Sequence, residues 1–244
     1  MRSGIPRLLT GLLVALAACG GSAEPEPRRE LGLAPEALAR PADDARPVGG
    51  DPEVPDDAPL VVVLGDSIAA GLHLEPSQAF PAVLQRTLAA EGLPFRLVNA
   101  GVSGDTSAGG LRRLDWLLKQ APDVLVLELG GNDGLRGQPV GEIEARLREI
   151  VTRSRAAGAR VLLLGVRLPP SLGADYVGAF EALYPRLAGE IDCAFVPSFM
   201  AGAGGDPARM LDDGIHPNAR GHEHIAANVA PALRELLATL ATER

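Results

Sequence analysis

Three kinds of residue are scarce in this chain of 244 residues: aromatic residues make up 3%, two residues are cysteine, and Lys119 is the single lysine. With so few aromatic side chains, the core has to be filled mainly by leucine, valine and alanine. Hydrophobic residues make up 46% of the chain, which is ample for one substantial core. The formal net charge is −8, and no basic stretch with interleaved aromatic residues occurs. This pattern argues against nucleic acid as a partner.

Two nucleotide-binding motifs are also missing. The glycine-rich stretch 101–110 is not followed by Gly-Lys-Ser/Thr, and no Gly-x-Gly-x-x-Gly follows the first predicted strand, so neither a P-loop nor a dinucleotide site is expected. His222 and His224 resemble a chelating pair. Residues two apart on a helix point to nearly opposite sides, and we therefore expect a solvated helix face here. No metal and no cofactor are predicted.

The N-terminus has the pattern of a bacterial export signal. A basic segment precedes an apolar run over 8–18, which is short for a membrane span of about 20 residues. The motif Leu-Ala-Ala-Cys that ends at Cys19 resembles the lipobox of bacterial lipoproteins. The resemblance implies a signal peptide over 1–18, a lipid on Cys19 that anchors the protein to the membrane, and a periplasm-facing position, with the outer membrane favoured by Gly20. An ordinary signal peptide with a chance cysteine is the alternative.

The composition then changes twice along the chain. Eight of the 21 prolines fall within 20–59, and so polar and proline-rich a segment cannot bury enough apolar surface to fold. We expect a lipidated, extended tether over 19–59 and one globular domain over 60–241. If Cys19 carries lipid, Cys193 has no partner for an intramolecular disulfide and is expected to be a small core residue.

Strand-like and helix-like segments alternate through 60–241. Near-continuous apolar strands that alternate with helices indicate a parallel sheet covered on both faces, that is, a three-layer α/β/α fold. Trp116, with its neighbouring leucines, is predicted to face the core. Strands are predicted over 60–64, 95–99, 124–129, 160–166 and 194–197, and helices over 77–91, 106–120, 139–157, 174–190 and 219–240.

The chemistry-bearing residues stand at two distant places. Ser67 directly follows the first predicted strand, and Asp213 lies three residues before His216, one of four histidines. A hydroxyl at the end of a buried strand, with a carboxylate paired to an imidazole, is what acyl transfer requires. The chain lacks the Gly-x-Ser-x-Gly elbow of α/β-hydrolases at Ser67.

Four motifs in order resemble the motif blocks of SGNH (GDSL-type) hydrolases. The resemblance covers essentially the whole predicted domain, and it implies a flavodoxin-like, five-stranded parallel sheet. Within the family, the chain is similar to the bacterial multifunctional thioesterase I/lysophospholipase (arylesterase) group. The motifs are Gly65-Asp66-Ser67, Asn99-Ala100-Gly101-Val102-Ser103-Gly104-Asp105-Thr106, Gly131-Asn132-Asp133 and Asp213-Gly214-Ile215-His216.

The resemblance assigns a role to each member of the triad. Ser67 is expected to be the nucleophile, His216 the general base, and Asp213 the carboxylate that orients the imidazole. Asp212 is a competing carboxylate, but the family spacing selects Asp213.

The resemblance also assigns the oxyanion donors to the backbone amides of Ser67 and Gly101 and to the side-chain amide of Asn132. We further predict that the apolar loop residues Leu135, Leu168, Pro169 and Phe199 line an acyl groove.

The expected activity is hydrolysis of acyl esters and thioesters by a monomer. Two alternatives stay open at this point. One keeps the fold and changes the substrate to a carbohydrate or small-molecule O-acetyl ester. The other, from a different class, is a non-catalytic binding lipoprotein built on a degenerate hydrolase fold.

Overall fold

A computed structural model of the chain describes residues 54–243, and a five-stranded parallel sheet forms the centre of that part. Its strands are β1 (Leu60–Gly65), β2 (Arg96–Gly101), β3 (Val124–Glu128), β4 (Arg160–Leu164) and β5 (Ala194–Val196). They lie in the order β2-β1-β3-β4-β5, which is the flavodoxin-like order. The predicted three-layer α/β/α fold is confirmed.

The central strand β1 is buried on both faces. Val61 and Val63 pack into the core on one side of the sheet, whereas Val62 and Leu64 pack into the core on the other. Successive side chains of a strand point to opposite faces, so a continuous apolar run fits a sheet covered on both sides. Leucine and valine supply most of both cores, as the shortage of aromatic residues led us to expect.

Seven α-helices accompany the sheet within residues 54–243. They are α1 (Ser67–Ala70), α2 (Phe80–Ala90), α3 (Ser107–Leu118), α4 (Gly131–Leu135), α5 (Val140–Ala156), α6 (Ala174–Ile191) and α7 (Ala219–Glu243). Helices α3, α5 and α6 pack on one face of the sheet, and α1, α2 and α7 pack on the other. The five long helices lie close to their predicted bounds. The sequence pattern missed α1 and α4, because four and five residues are too few to show a helical period.

The ends of three strands are level with one another. Gly65 of β1 is aligned with Gly101 of β2 on one side and with Glu128 of β3 on the other. The loops that follow these strands therefore meet at one edge of the sheet, where ligands of open α/β folds bind.

The prediction for Trp116 is wrong. Its side chain is 41% exposed, whereas Leu114 is fully buried. Residues two apart on a helix are separated by about 200°, so a helix that buries Leu114 turns Trp116 toward solvent.

The N-terminal predictions lie largely outside the described residues. The signal peptide over 1–18 and the lipid on Cys19 stay predictions, as do the tether over 19–59 and the domain bounds 60–241. Of the helices between residues 54 and 243, none combines the length and apolarity needed to cross a bilayer.

Candidate active site

Ser67 lies at a tightly packed junction between β1 and α1. It is the first residue of α1, and Asp66 is the N-cap, whose side chain accepts a hydrogen bond from the Ile68 backbone N–H at 3.0 Å. A Cβ atom on Gly65 would lie 2.5 Å from Ala69 Cβ and from Glu128 Oε2. The junction therefore requires glycine at position 65, and Ser67 is 8% exposed at the edge of the sheet.

The structure brings Ser67, His216 and Asp213 together in one chain of hydrogen bonds. Ser67 Oγ lies 3.0 Å from His216 Nε2, and His216 Nδ1 lies 2.6 Å from Asp213 Oδ2. The carboxylate accepts the proton on Nδ1, so Nε2 faces the serine hydroxyl with its lone pair. This arrangement allows the imidazole to take the hydroxyl proton as the serine attacks a carbonyl carbon.

Asp213 also organises its own loop. Its Oδ1 accepts hydrogen bonds from the backbone N–H groups of His216, at 2.9 Å, and Ile215, at 2.8 Å. The backbone and ring hydrogen bonds from His216, together with the one from Ile215, hold the pKa of Asp213 well below its usual value. The carboxylate is therefore charged over the whole neutral range and can stabilise an imidazolium.

The prediction that Gly101 donates to an oxyanion is wrong. The backbone N–H of Gly101 donates to Asn99 Oδ1 at 3.0 Å. A Cβ atom on Gly101 would lie 2.3 Å from the backbone nitrogen of Ala70. Gly101 is thus required for close packing of β2 against α1, and its donor is already engaged.

Three other donors lie on segments that follow β1, β2 and β3 at the same edge of the sheet. The backbone N–H of Ser67 begins α1, and the N–H of Gly104 lies in the exposed loop after β2. Neither has an acceptor among residues 54–243. Gly104 has a φ of 78°, which favours glycine, and its carbonyl accepts from Arg136 Nη2 at 3.2 Å. Asn132 on α4 donates one Nδ2 proton to Asp66 Oδ2 at 3.1 Å, which leaves its second proton for a ligand.

Sequence reasoning missed a buried acid below the nucleophile. Glu128 ends β3, is 1% exposed, and accepts the backbone N–H groups of Asp66, at 3.0 Å, and Ala69, at 3.3 Å, through Oε2. Burial, and next the charge of Asp66, raises the pKa of Glu128 well above its usual value. Burial raises the pKa of Asp66 to about 6. A glutamate inside the otherwise apolar run 124–129 was the available signal.

The four predicted groove residues divide into two pairs. Leu135 is 42% exposed and Pro169 is exposed, so both can contact a substrate. Phe199 is fully buried, with its ring 6.3 Å from that of Phe80. Leu168 is buried beneath α4, where it would contact a Cβ atom on Gly134. For these two residues the prediction is wrong, because core packing withdraws both side chains from the surface.

His222 also departs from the prediction of a solvated helix face. It is 1% exposed, its Nδ1 accepts the Phe80 backbone N–H at 3.0 Å, and its ring stacks on that of Phe80. The first N–H groups of a helix lack intrahelical acceptors, and His222 on α7 supplies one to α2. Burial lowers the pKa of His222 to about 4, so the ring is neutral at neutral pH.

A serine, a histidine and an aspartate joined in this order at the carboxyl edge of a parallel sheet define a serine hydrolase. Residues 63–224 match the GDSL-like Lipase/Acylhydrolase family, and the chain belongs to that family. The predicted resemblance to SGNH (GDSL-type) hydrolases is confirmed.

Known relatives agree with this assignment. The chain is 47% identical over 181 residues to esterase TesA of Pseudomonas aeruginosa, covering 74% of this chain and 90% of that protein. It is 44% identical over 181 residues to thioesterase 1/protease 1/lysophospholipase L1 of Escherichia coli K12, covering 74% and 86%. The crystal structure of TesA matches with a TM-score of 0.71 and 47% identity, covering 72% of this chain and 99% of that one.

Proposed function

We propose that the protein hydrolyses acyl esters and thioesters through an acyl-enzyme on Ser67. The observation that carries this proposal is the pair of short contacts that join Ser67 Oγ to His216 Nε2 and His216 Nδ1 to Asp213. The names of the relatives, which include an esterase and a thioesterase/lysophospholipase, agree with it.

The first half of the reaction forms the acyl-enzyme. Ser67 Oγ attacks the substrate carbonyl carbon while His216 Nε2 takes the hydroxyl proton, and the carbonyl oxygen becomes an oxyanion. The intermediate then collapses, the bond to the leaving group breaks, and the departing alcohol or thiol receives that proton from His216. Asp213 stabilises the imidazolium between the two proton transfers.

Water completes the cycle. A water molecule takes the place of the leaving group, gives a proton to His216 and attacks the acyl carbonyl. Collapse of the second oxyanion returns the proton to Ser67 Oγ and releases the carboxylic acid. No redox step occurs, and the atoms of one water molecule appear in the products.

Three hydrogen-bond donors can stabilise the negative charge of the oxyanion. We assign them to the backbone N–H of Ser67, the backbone N–H of Gly104 and the second Nδ2 proton of Asn132. Gly104 replaces Gly101 in this assignment, because the Gly101 N–H is engaged by Asn99. Donors that are held in place before the reaction stabilise developing charge without reorganisation.

A substrate panel with a nucleophile variant tests this proposal. Purified protein should cleave p-nitrophenyl esters, acyl thioesters and lysophospholipids, and Ser67→Ala should lose this activity by at least about 10³-fold. The Ser67→Ala protein should keep the melting temperature of the wild type. Cleavage of acetyl esters alone would favour the O-acetyl esterase alternative. Unchanged hydrolysis in Ser67→Ala would contradict the proposed nucleophile.

We further propose that a lipid on Cys19 anchors the protein to the membrane, on the periplasmic side and favouring the outer membrane, with residues 19–59 as a tether. The Leu-Ala-Ala-Cys motif and the prolines of the tether support this proposal. Cys19→Ala should move the protein from the membrane fraction to the soluble fraction. Cys193→Ala is the matched control and should leave it in the membrane fraction. An unchanged distribution of Cys19→Ala would contradict the anchor.

A further inference from the structure

Two buried carboxyl groups lie directly behind the nucleophile, and the reaction steps above do not use them. Asp66 is 4% exposed and Glu128 is 1% exposed. Glu128 stands at the end of β3, aligned with Gly65 of the neighbouring strand β1. Burying two acids in contact with each other is costly, so their position so close to Ser67 points to a role.

The two acids form one hydrogen-bonded unit with Asn132. Glu128 Oε2 accepts the backbone N–H groups of Asp66 and Ala69, which places the two carboxyl groups close enough to share a hydrogen bond. Asp66 Oδ1 accepts the Ile68 N–H, and Asp66 Oδ2 accepts the side-chain amide of Asn132 at 3.1 Å. A hydrogen bond between two carboxyl groups requires a proton on one of them.

Within residues 54–243, no arginine or lysine balances the charge of these acids. Arg113 on α3 pairs with Asp105 at 2.8 Å and donates to the Ala100 and Gly65 carbonyls. Among the described residues, no arginine or lysine forms an ion pair with Asp66 or Glu128. Two uncompensated buried carboxylates in contact would be very unfavourable, so one of them retains a proton at neutral pH.

We propose that Glu128 is a positioning residue that keeps this proton and donates it to Asp66, so that Asp66 stays an anionic acceptor for Asn132 Nδ2. The proton belongs on Glu128 because Glu128 is the more deeply buried acid and because the charge interaction with His216 favours the anionic form of Asp66. In that state Asp66 fixes one Asn132 proton, and the second points to the oxyanion. Glu128 thus acts on turnover through Asp66 and Asn132, without touching the substrate.

The charged groups around Asp66 and Glu128 determine how kcat should depend on pH. His216 favours the anionic form of Asp66, and Asp105 opposes it. Removal of the Glu128 proton in alkali would place two charges in contact, separate the two carboxyl groups and release Asn132. The groups that face the pair from the surrounding elements are Asp105 and Arg113 from β2–α3 and α3, Asp133 from α4, Tyr184 from α6 and His216 from the loop before α7.

Three variants test the unit through kcat, KM and the pH profile. Glu128→Gln retains a neutral donor and an acceptor oxygen, so it should keep kcat within about threefold of the wild type at neutral pH. The kcat of the wild type should fall in alkali, whereas that of Glu128→Gln should not. Asp66→Asn places an amide opposite Asn132 and should lower kcat by on the order of 10²–10³, with KM nearly unchanged. Glu128→Ala, which removes both the donor and the acceptor, should lower kcat and the melting temperature.

Infrared spectroscopy tests the proton without relying on turnover. The wild type in D₂O at neutral pH should show the carbonyl band of a protonated carboxyl group, and Glu128→Gln should lack it. The kinetic arm rests on the proposed role of Asn132, whereas this band does not. An unchanged band in Glu128→Gln would overturn the proposal. Failure of Glu128→Gln to fold, or a loss of kcat in it equal to that of Glu128→Ala, would also overturn it.

Discussion

The two halves of the site are held in different ways. Ser67 stands on a buried junction that is fixed from below by Glu128 and by the close packing of β1 against α1. Asp213 and His216 stand on a loop, where the Asp213 side chain is 40% exposed and Ile215 is 53% exposed. The core positions the nucleophile, whereas short-range hydrogen bonds position the base. Packing across the whole core therefore fixes the position of Ser67, whereas hydrogen bonds within one loop fix the position of His216.

The loop of the base is nevertheless anchored at its ends. Asn218 Nδ2 donates to the carbonyls of Ala208 and Met210, and the Leu211 N–H donates to the His216 carbonyl at 2.7 Å. These bonds pin the loop to the segment before it and to the start of α7. An exposed loop can thus hold an imidazole within 3.0 Å of Ser67 Oγ.

Removing the base should have the largest effect. His216→Ala should lower kcat by on the order of 10⁶, and Asp213→Asn by about 10⁴, as measured with a p-nitrophenyl ester. Because Asp213 acts through the imidazole, the double variant should be no slower than His216→Ala alone. Losses that add in the double variant would show that Asp213 has an independent role.

His222, six residues after the general base His216, should make the stability of the protein depend on pH. The pKa of His222 falls from an ordinary 6.5 to about 4 in the folded protein, so between these values the unfolded chain binds the additional proton. The contribution of neutral His222 is fully present above pH 6.5 and is lost as the pH falls toward 4. It amounts to about 3 kcal/mol.

The measurement is the unfolding free energy of the wild type and of His222→Gln, determined by denaturant titration across this range. The advantage of the wild type should shrink as the pH falls. A difference that is constant with pH would contradict a buried, neutral His222.

A substitution in each half tests the contrast in packing. Gly65→Ala introduces a methyl group 2.5 Å from Ala69 Cβ and from Glu128 Oε2, and should destabilise the protein by about 1–3 kcal/mol. Ile215→Ala trims an exposed side chain and should change stability by no more than about 0.5 kcal/mol. Thermal unfolding of both variants gives the comparison. Equal destabilisation would show that the loop is held as tightly as the junction.

The smallest expected effect concerns substrate length. Leu135→Asp should lower kcat/KM for long-chain esters by about tenfold, with little change for acetyl esters, because a charge replaces an apolar contact with the chain. Trp116→Asp is the control, since Trp116 is similarly exposed on α3 and is not expected to contact substrate. Equal losses on long and short esters in Leu135→Asp would contradict the groove.

Most of the fold was predictable because each long element carries its own period. The apolar run of β1 indicated the central sheet, and the amphipathic patterns indicated the helices that pack on its two faces. The short helices α1 and α4 were not predictable in this way, since four and five residues are too few to show a helical period. Ser67, Asp213 and His216 were identified by spacing, and the structure brings them together.

Other residues depended on packing that a pattern does not reveal. Leu168 and Phe199 are apolar and follow strands, but whether such a side chain covers a groove or fills the core is decided by neighbours distant in sequence. The backbone N–H of Gly101 donates to the side chain of Asn99, two residues earlier, and this hydrogen bond is evident only from the geometry of the structure. Glu128 was visible as a lone acid in an apolar strand, and its partner Asp66 became evident only in three dimensions.

The most direct measurement is covalent labelling of the nucleophile. Purified protein is incubated with an activated phosphonate ester, and the adduct is mapped by mass spectrometry in the wild type, Ser67→Ala and His216→Ala. A single adduct on Ser67 is predicted for the wild type, with none in Ser67→Ala and much slower labelling in His216→Ala. An adduct on another residue, or labelling that persists in Ser67→Ala, would contradict a serine nucleophile activated by His216.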